Sequence, residues 1–311
     1  MKVLFLGFQT WGQLTLDAII KSRHIVPLVI THPQSDHIYE TIWNDSVKEL
    51  ACSNGIPVIE KVYANDDETI KLMRNVAPDI IVSSNWRTWL SPEACSIPKF
   101  GSINIHDALL PKYGGFSPIN WSIINGEIET GVTVHYMTEE FDLGDIIIQE
   151  KVPIYFSDTS TDVFKKTLPL FPKLALQALG LIESNKVKRI VQEKSQATFY
   201  HKRSERDSLI NWNDTNLHIY NLIRAQSDPY PNAYTFYNYK KLKIKKASLP
   251  AMSCCGTPGR IFSRVNLGVV VVCGAEKPNS NQGLVLEIVQ EEGSEPVAAA
   301  AYFKRMGEYL E

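Results

Sequence analysis

Asn104 and His106 stand two apart at the end of an apolar run. In an extended chain that spacing puts an amide and an imidazole on the same side. Further along, Asp142 lies in the turn Asp142-Leu143-Gly144-Asp145. An amide and an imidazole can donate hydrogen bonds to a carbonyl oxygen that is gaining negative charge. A carboxylate can hold the imidazole and take a proton from an attacking amine, directly or through water. Together the three suit acyl transfer to an amine, with no Ser or Cys nucleophile, and no G-x-S-x-G elbow is present. Taken singly, each has an ordinary structural explanation, because Asn and Asp favour turns by bonding to nearby backbone groups.

The elements that must position these residues alternate in type. Val3 to Leu6 reads as a buried strand ending at Gly7, and Trp11 to Lys21 carries a helical apolar stripe. Ile25 to Ile30 is the next strand, Asp45 to Ser53 a helix stopped by Asn54-Gly55, and Pro57 to Ile59 a short extended piece. Glu68 to Val76 is helical and Asp79 to Val82 a strand. This alternation predicts a doubly wound, mostly parallel, Rossmann-like sheet, with ligands beyond the carboxyl ends of its strands. Pro118 opens a helix through Asn125, Val132 to Met137 is a strand, and Ile146 to Gln149 another. Ser157 to Ile190 reads as helical, broken or bent at Pro169 and Pro172.

Composition changes near residue 195. The polar stretch His201 to Asp207 reads as a crossing between domains. The expected division is a catalytic domain over 1–194, a linker over 195–206 and a β-rich domain over 207–311. That last part holds one helix, Thr215 to Ala225, then short runs at 242–246, 260–262, 267–273 and 284–289, the pattern of a small OB-like β-barrel.

Several function classes are excluded or disfavoured. The 311 residues carry a net charge of −2, so no strong basic field collects nucleic acid or anionic membrane. The loop Gly7-Phe8-Gln9-Thr10-Trp11-Gly12 lacks G-x-G-x-x-G, and no P-loop occurs. The five cysteines form no C-x-x-C pair, which speaks against a disulfide framework or a zinc site and for reduced thiols in a cytoplasm. No apolar run nears the ~20 residues that span a bilayer.

The segment from 101 to 150 resembles the formyltransferases that use 10-formyltetrahydrofolate. The resemblance rests on Asn104-Ile105-His106, Leu109-Leu110-Pro111, Gly126, Gly131-Val132-Thr133 and Asp142-Leu143-Gly144-Asp145. It implies that Asn104 and His106 stabilise the tetrahedral intermediate and that Asp142 orients His106 and helps to move the proton. It extends to the loop 84–92, which in the family lines the folate pocket together with the loop before the Asp. Carried over by position, the cofactor candidates are Trp86, Arg87, Trp89 and Leu90, with Thr138, Glu139, Glu140 and Phe141. The resemblance implies 10-formyltetrahydrofolate as formyl donor and no metal.

Asn211-Trp212-Asn213, Ile223-Arg224-Ala225 and Asp228 to Tyr234 resemble the carboxyl-terminal domain of the longer members. Two acceptors stay open. The wording around Lys112-Tyr113 and Pro118 to Glu127 is similar to enzymes that formylate an amino-deoxy sugar on its nucleotide, which implies a place in cell-surface polysaccharide synthesis. Substrate candidates are Phe8, Gln9, Thr10 and Trp11 at a helix start, where N–H groups favour anions, with Lys112, Tyr113 and Gly114. The alternative is a methionyl-tRNA formyltransferase, served by Lys241, Lys243 and Lys245 on one face of a strand. Those lysines also suit an edge strand guarded against aggregation. The preferred reading is a nucleotide-sugar substrate, no nucleic acid or membrane partner, and a possible homodimer. A silent binding module and a folate hydrolase remain as further classes. Ala108, where the family commonly has Ser, and Tyr113 meeting Gly114 directly both fall in the acceptor loop and put the substrate in question.

Overall fold

A computed structural model describes residues 1–35, 41–277 and 280–311. They group into two compact units. One comprises Met1–Pro118, Glu129–Pro153 and Phe164–His201, the other Ile119–Ile128, Ile154–Val163 and Lys202–Glu311.

In chain order the first elements are β1 (Lys2–Gly7), α1 (Gln9–Ile20), β2 (Ile25–Thr31), α2 (Val47–Ser53) and β3 (Val58–Glu60). Next come α3 (Asp67–Val76), β4 (Ile80–Ser84), α4 (Pro92–Cys95), β5 (Ser102–His106) and β6 (Gly114–Gly115). Then follow α5 (Pro118–Ile124), β7 (Glu129–Tyr136), β8 (Ile146–Pro153), α6 (Ser160–Thr167), α7 (Leu170–Glu183) and β9 (Phe199–Tyr200). The described residues form a seven-stranded sheet in the order β3-β2-β1-β4-β5-β7-β8. The first five strands are parallel, and β7 and β8 run antiparallel at one side.

Strand parity divides the core into two layers. Val3 and Phe5 of β1 pack with Leu16 and Ile19 of α1, Ala51 of α2 and Leu174 and Ala178 of α7. Leu4 and Leu6 face the other way, onto Ile70 and Met73 of α3 and Ala94 of α4. The strands are buried on both faces, as a sheet covered by helices on each side requires. Chain order reverses between β1 and β4, the place where such sheets open a crevice at the strands' carboxyl ends.

The long helical reading of 157–190 needs correction. Helix stops at Glu183, and Ile190 instead exchanges backbone hydrogen bonds with Ile146 (2.8 and 3.0 Å). Pro172 does not bend α7. It lies in the first turn, where its missing N–H has no partner to lose.

The second unit holds α8 (Asn216–Ala225), β10 (Ala233–Tyr237), β11 (Lys240–Ser248), β12 (Ile261–Val265), β13 (Gly268–Val272), β14 (Gly283–Glu291) and β15 (Val297–Ala298). Its antiparallel sheet has the order β10-β11-β14-β13-β12, with β15 on β14. Residues 307–311 join its two ends. They bond to Ile261 and Gly259 beside β12, and the Glu311 backbone exchanges hydrogen bonds with Phe236 of β10 (2.9 and 3.0 Å). The sheet is thereby wrapped towards a barrel with both edges covered. The lysine-rich strand β11 is not at an edge, since β10 and β14 flank it. β10 has no aliphatic run to mark it, and its strand formers are Tyr234, Thr235, Phe236 and Tyr237.

Candidate active site

Asn104 and His106 reach the carboxyl end of β5, and β7 lies beside it with Asn104 opposite His135. The Ser83 hydroxyl on β4 donates to Asn104 Oδ1 (2.8 Å), which turns the amide nitrogen away from β4. That Nδ2 lies 3.3 Å from His135 Nε2. His135 Nδ1 donates to the Tyr136 carbonyl (2.9 Å), leaving Nε2 bare to accept from Asn104.

Asp142 has a left-handed backbone (φ 54°) and is buried. Its Oδ1 lies 3.5 Å from His135 Nε2, and its Oδ2 lies 3.8 Å from His106 Nδ1. The Gly115 N–H donates to Oδ2 (2.9 Å). His106 Nε2 donates to the Tyr113 carbonyl (2.8 Å), so its Nδ1 is bare. The carboxylate thus faces a bare nitrogen on each of two imidazoles. A proton on either nitrogen would let that histidine donate to Asp142. Burial opposes ionisation of Asp142, but His106 and His135, once protonated on the nitrogens that face it, and the Gly115 N–H outweigh it. The carboxyl is held down at about 2.

Two glycines make this turn possible. A Cβ on Gly144 would fall 1.8 Å from the Tyr136 carbonyl oxygen, and one on Gly115 (φ 90°) 2.4 Å from the Tyr200 oxygen. Gln192 closes the other side, its Nε2 donating to the carbonyls of Asp142 (2.8 Å) and Gly144 (2.7 Å).

Beside this cluster lies a narrow cleft, partly open to solvent. Ser83, Asn104, His135 and Asp142 line it, as do Trp86, Thr88, Trp89, Leu90, Met137, Thr138, Glu140 and Phe141. Trp86 stacks on His32 with ring centroids 3.8 Å apart, and its buried Nε1 has no hydrogen-bond partner among the described residues. Trp89 Nε1 donates to the Glu139 carbonyl (3.4 Å), tying the two lips together. Aromatic walls, an unused buried donor and an acidic rim fit a flat, hydrogen-bonding heteroaromatic such as a pterin. Six of the eight expected cofactor residues meet here. Arg87 turns instead to Phe8, whose ring centroid is 5.0 Å away, and to Gln9, and only the backbone of Glu139 takes part.

His106 does not line the cleft. It stands behind Asp142, next to the loop that holds Lys112, Tyr113 and Gly114. Lys112 is exposed, whereas Tyr113 is buried and stacks on Tyr200 at 5.2 Å. Phe8, Gln9 and Thr10 are buried, and Trp11 is half-buried. Thr10 donates its N–H to the Trp43 carbonyl (3.0 Å) and its hydroxyl to Asp45 (2.8 Å). The Gly12 N–H bonds to the Phe8 carbonyl (3.1 Å), so two of the amides at this helix start are already engaged. Trp11 Nε1 donates to Asp107 Oδ2 (3.1 Å), while Asp107 Oδ1 is buried with no partner among the described residues. Burial pushes the Asp107 carboxyl up to about 7 despite bonds from Trp11 and Thr167.

Sequence reasoning missed His135, Ser83 and Gln192. His135 had a usable signal, because a strand ending Thr133-Val134-His135 beside β5 sets Thr and His on one face. Gln192 had none, lying far from the motif in a polar stretch.

Among the described residues no group of three or more His, Cys, Asp and Glu could hold a metal ion. No helix there is long and apolar enough to cross a membrane.

Residues 1–179 match the formyl transferase family and residues 202–307 its C-terminal domain. The chain is 38% identical over 263 residues to the bifunctional polymyxin resistance protein ArnA of Wigglesworthia glossinidia brevipalpis, covering 85% of this chain but only 40% of that protein. It is 31% identical over 304 residues to the methionyl-tRNA formyltransferase of Acetivibrio thermocellus, covering 97% of this chain and 96% of that one. In fold it is similar to an N-formyltransferase from Helicobacter canadensis, solved with folinic acid and dTDP-3-aminofucose. There the TM-score is 0.69 at 23% identity, with 94% of this chain and 99% of that chain covered. With a full-length relative above 30% identity and both domains matched, the chain belongs to the formyl transferase family.

Proposed function

We propose that the protein moves a formyl group from 10-formyltetrahydrofolate to the amine of a nucleotide-linked amino-deoxy sugar. Bound in the aromatic cleft, the folate would supply a formyl group already activated for attack. Trp86, Trp89, Leu90 and Phe141 would hold the pterin, and Trp86 Nε1 is the donor left for it among them. Asn104 presents its amide hydrogens to the oxygen that gains charge. The His106–Asp142–His135 cluster accepts the proton that the attacking amine releases. Lys112 anchors the charged part of the acceptor.

One observation carries the choice of a small acceptor over tRNA. Of the five lysines on β11, Lys240, Lys241, Lys245 and Lys246 are ion-paired to Glu291, Glu205, Asp228 and Glu287. Binding an RNA depends on free cations that neutralise phosphates, and this strand is already neutralised by its own carboxylates. The relatives support both acceptors, since the N-formyltransferase from Helicobacter canadensis was solved with dTDP-3-aminofucose and a methionyl-tRNA formyltransferase is 31% identical to the chain. The test offers purified protein a panel of nucleotide-linked amino sugars beside methionyl-tRNA, each with 10-formyltetrahydrofolate. Formylation of a sugar nucleotide is expected. Efficient formylation of the tRNA with every sugar refused would overturn the acceptor and leave only the family.

A further inference from the structure

Residues 189–200 run across both loops of the site, and every contact below lies within the first compact unit. On the side of Asp142, Arg189 pairs with Asp145 (3.7 Å), Ile190 bridges to Ile146, and Lys194 pairs with Glu140. On the other side, the Thr198 hydroxyl accepts from the Tyr113 N–H (2.9 Å) and its carbonyl from the Gly114 N–H (2.8 Å). Between these, Gln192 is the buried member, 6% exposed, and its amide meets the backbone on either side of Leu143.

The backbone of Asp142 needs such a brace. A non-glycine residue at φ 54° sits in a sparsely populated region and persists only when its surroundings over-determine it. Asp142 must also put its two carboxylate oxygens on different partners, towards His135 and towards His106 and Gly115. A small rotation of the turn would lose both. The Gly144 backbone against Tyr136 blocks movement one way. The two bonds from Gln192 block the other. Those bonds also fix which end of the amide faces the turn, since both acceptors are carbonyl oxygens and only the nitrogen can donate to them.

We infer that Gln192 is a positioning residue. It never meets a reactant, and by donating to the Asp142 and Gly144 carbonyls it holds the Asp142 carboxylate between the two histidines. The inference rests on the proposed function only for its effect on turnover, because the placement of the carboxylate can be read without any substrate.

The experiment compares Gln192→Ala with Gln192→Met in the full chain. Met keeps the length and bulk of Gln but cannot donate, so it separates the hydrogen bonds from space-filling. The first readout is the ¹³C resonance of the Asp142 side-chain carboxyl in protein labelled at aspartate, assigned through Asp142→Asn. In the parent protein this carboxyl is held down at about 2 by its neighbours. In both variants it is expected to titrate at least about one pH unit higher, because burial continues while the compensating contacts weaken. The second readout is formyl transfer, expected to lose about 10- to 100-fold in kcat with little change in KM for the folate, the scale of a misplaced reacting group. A Met variant that titrates and turns over like the parent would reduce Gln192 to packing and overturn the inference. So would lost turnover with an unmoved Asp142 titration. If the parent formylates none of the acceptors offered, the proposed function fails, yet the carboxyl titration still decides the role of Gln192.

Discussion

The two walls of the site handle their polar groups in opposite ways. On the cleft side, Trp86 Nε1 has no partner among the described residues, and Trp89 and Phe141 are 46% and 41% exposed. On the other side, Thr10, Trp11, Tyr113, Gly114 and Gly115 have hydrogen bonds to protein groups at 2.8–3.1 Å. The first wall has hydrogen-bonding and stacking capacity that a ligand can use. The second is already satisfied, so a ligand there must be recognised by shape and by exposed groups such as Lys112. An open cleft beside a self-contained wall is the division that the proposed function needs, with the folate on the first side and the acceptor on the second.

The largest effect expected is at the junction of the walls. Asp142→Asn, His106→Asn and Asn104→Ala should each reduce formyl transfer by roughly a hundredfold or more, the scale of lost oxyanion or proton-transfer help. Circular dichroism should show the fold intact. Parent-like turnover in any one of them would take that residue out of the chemistry. His135→Gln, which touches both Asn104 and Asp142, should fall within tenfold of those values; a silent substitution would mean that His135 only supports its neighbours.

The acceptor wall has one member out of balance. The folded pKa of Asp107, about 7, lies above its ordinary 3.8, so the folded state binds the proton more tightly than the unfolded one. Stability from this group is therefore greatest below about pH 4 and falls as pH rises towards 7, then levels off. Asp107→Asn removes that slope. The variant's advantage over the parent, read as the difference in Tm, should grow between pH 5 and 8 by on the order of 2 kcal/mol. Parallel Tm curves would show that Asp107 stays charged, with a partner not accounted for.

Smaller effects test the contrast directly. Trp86→Phe keeps the stack on His32 but removes the donor, and should raise the Kd for folate several-fold, about what one hydrogen bond provides. Thr10→Val breaks the bond to Asp45 and should lower stability by about 1 kcal/mol while leaving both KM values near the parent's. If Thr10→Val instead raised KM for the acceptor alone, the second wall would prove to be a binding surface and the comparison would fail.

Much of this was legible in the sequence, for reasons that can be named. Asn104 and His106 share a face because strand parity is local, and the buried strands of the parallel sheet announce themselves as apolar runs. The Trp86 to Leu90 loop and the Asp142 turn came from family motifs, and the cleft brings them together. What could not be read depends on contacts distant in sequence. Arg87 leaves the cleft because Gln9 and Phe8, from the first loop, draw it away. The amides at the start of α1 are engaged because Trp43 folds over them. β11 is interior because Ala233 to Tyr237, a run of aromatic and Thr strand formers rather than of aliphatic residues, pairs beside it.

The pairing of residues 307–311 with both Ile261 and Phe236 bears on the order in which the protein is made. Synthesis proceeds from the amino end, and domains that are complete can fold while the rest is still emerging. The seven-stranded sheet has all its strands once Pro153 has been added. The second sheet has all its strands by Ala298, but its two ends stay unjoined until Glu311 is in place. During that interval the nascent chain displays an open β-edge at β12 and a partly covered one at β10, where Ile210 already bonds to Tyr234; open edges are prone to pair with another chain. Chaperone contact and aggregation during translation should therefore concentrate on the interval between Ala298 and Glu311, and deleting residues 307–311 would make that passing vulnerability permanent.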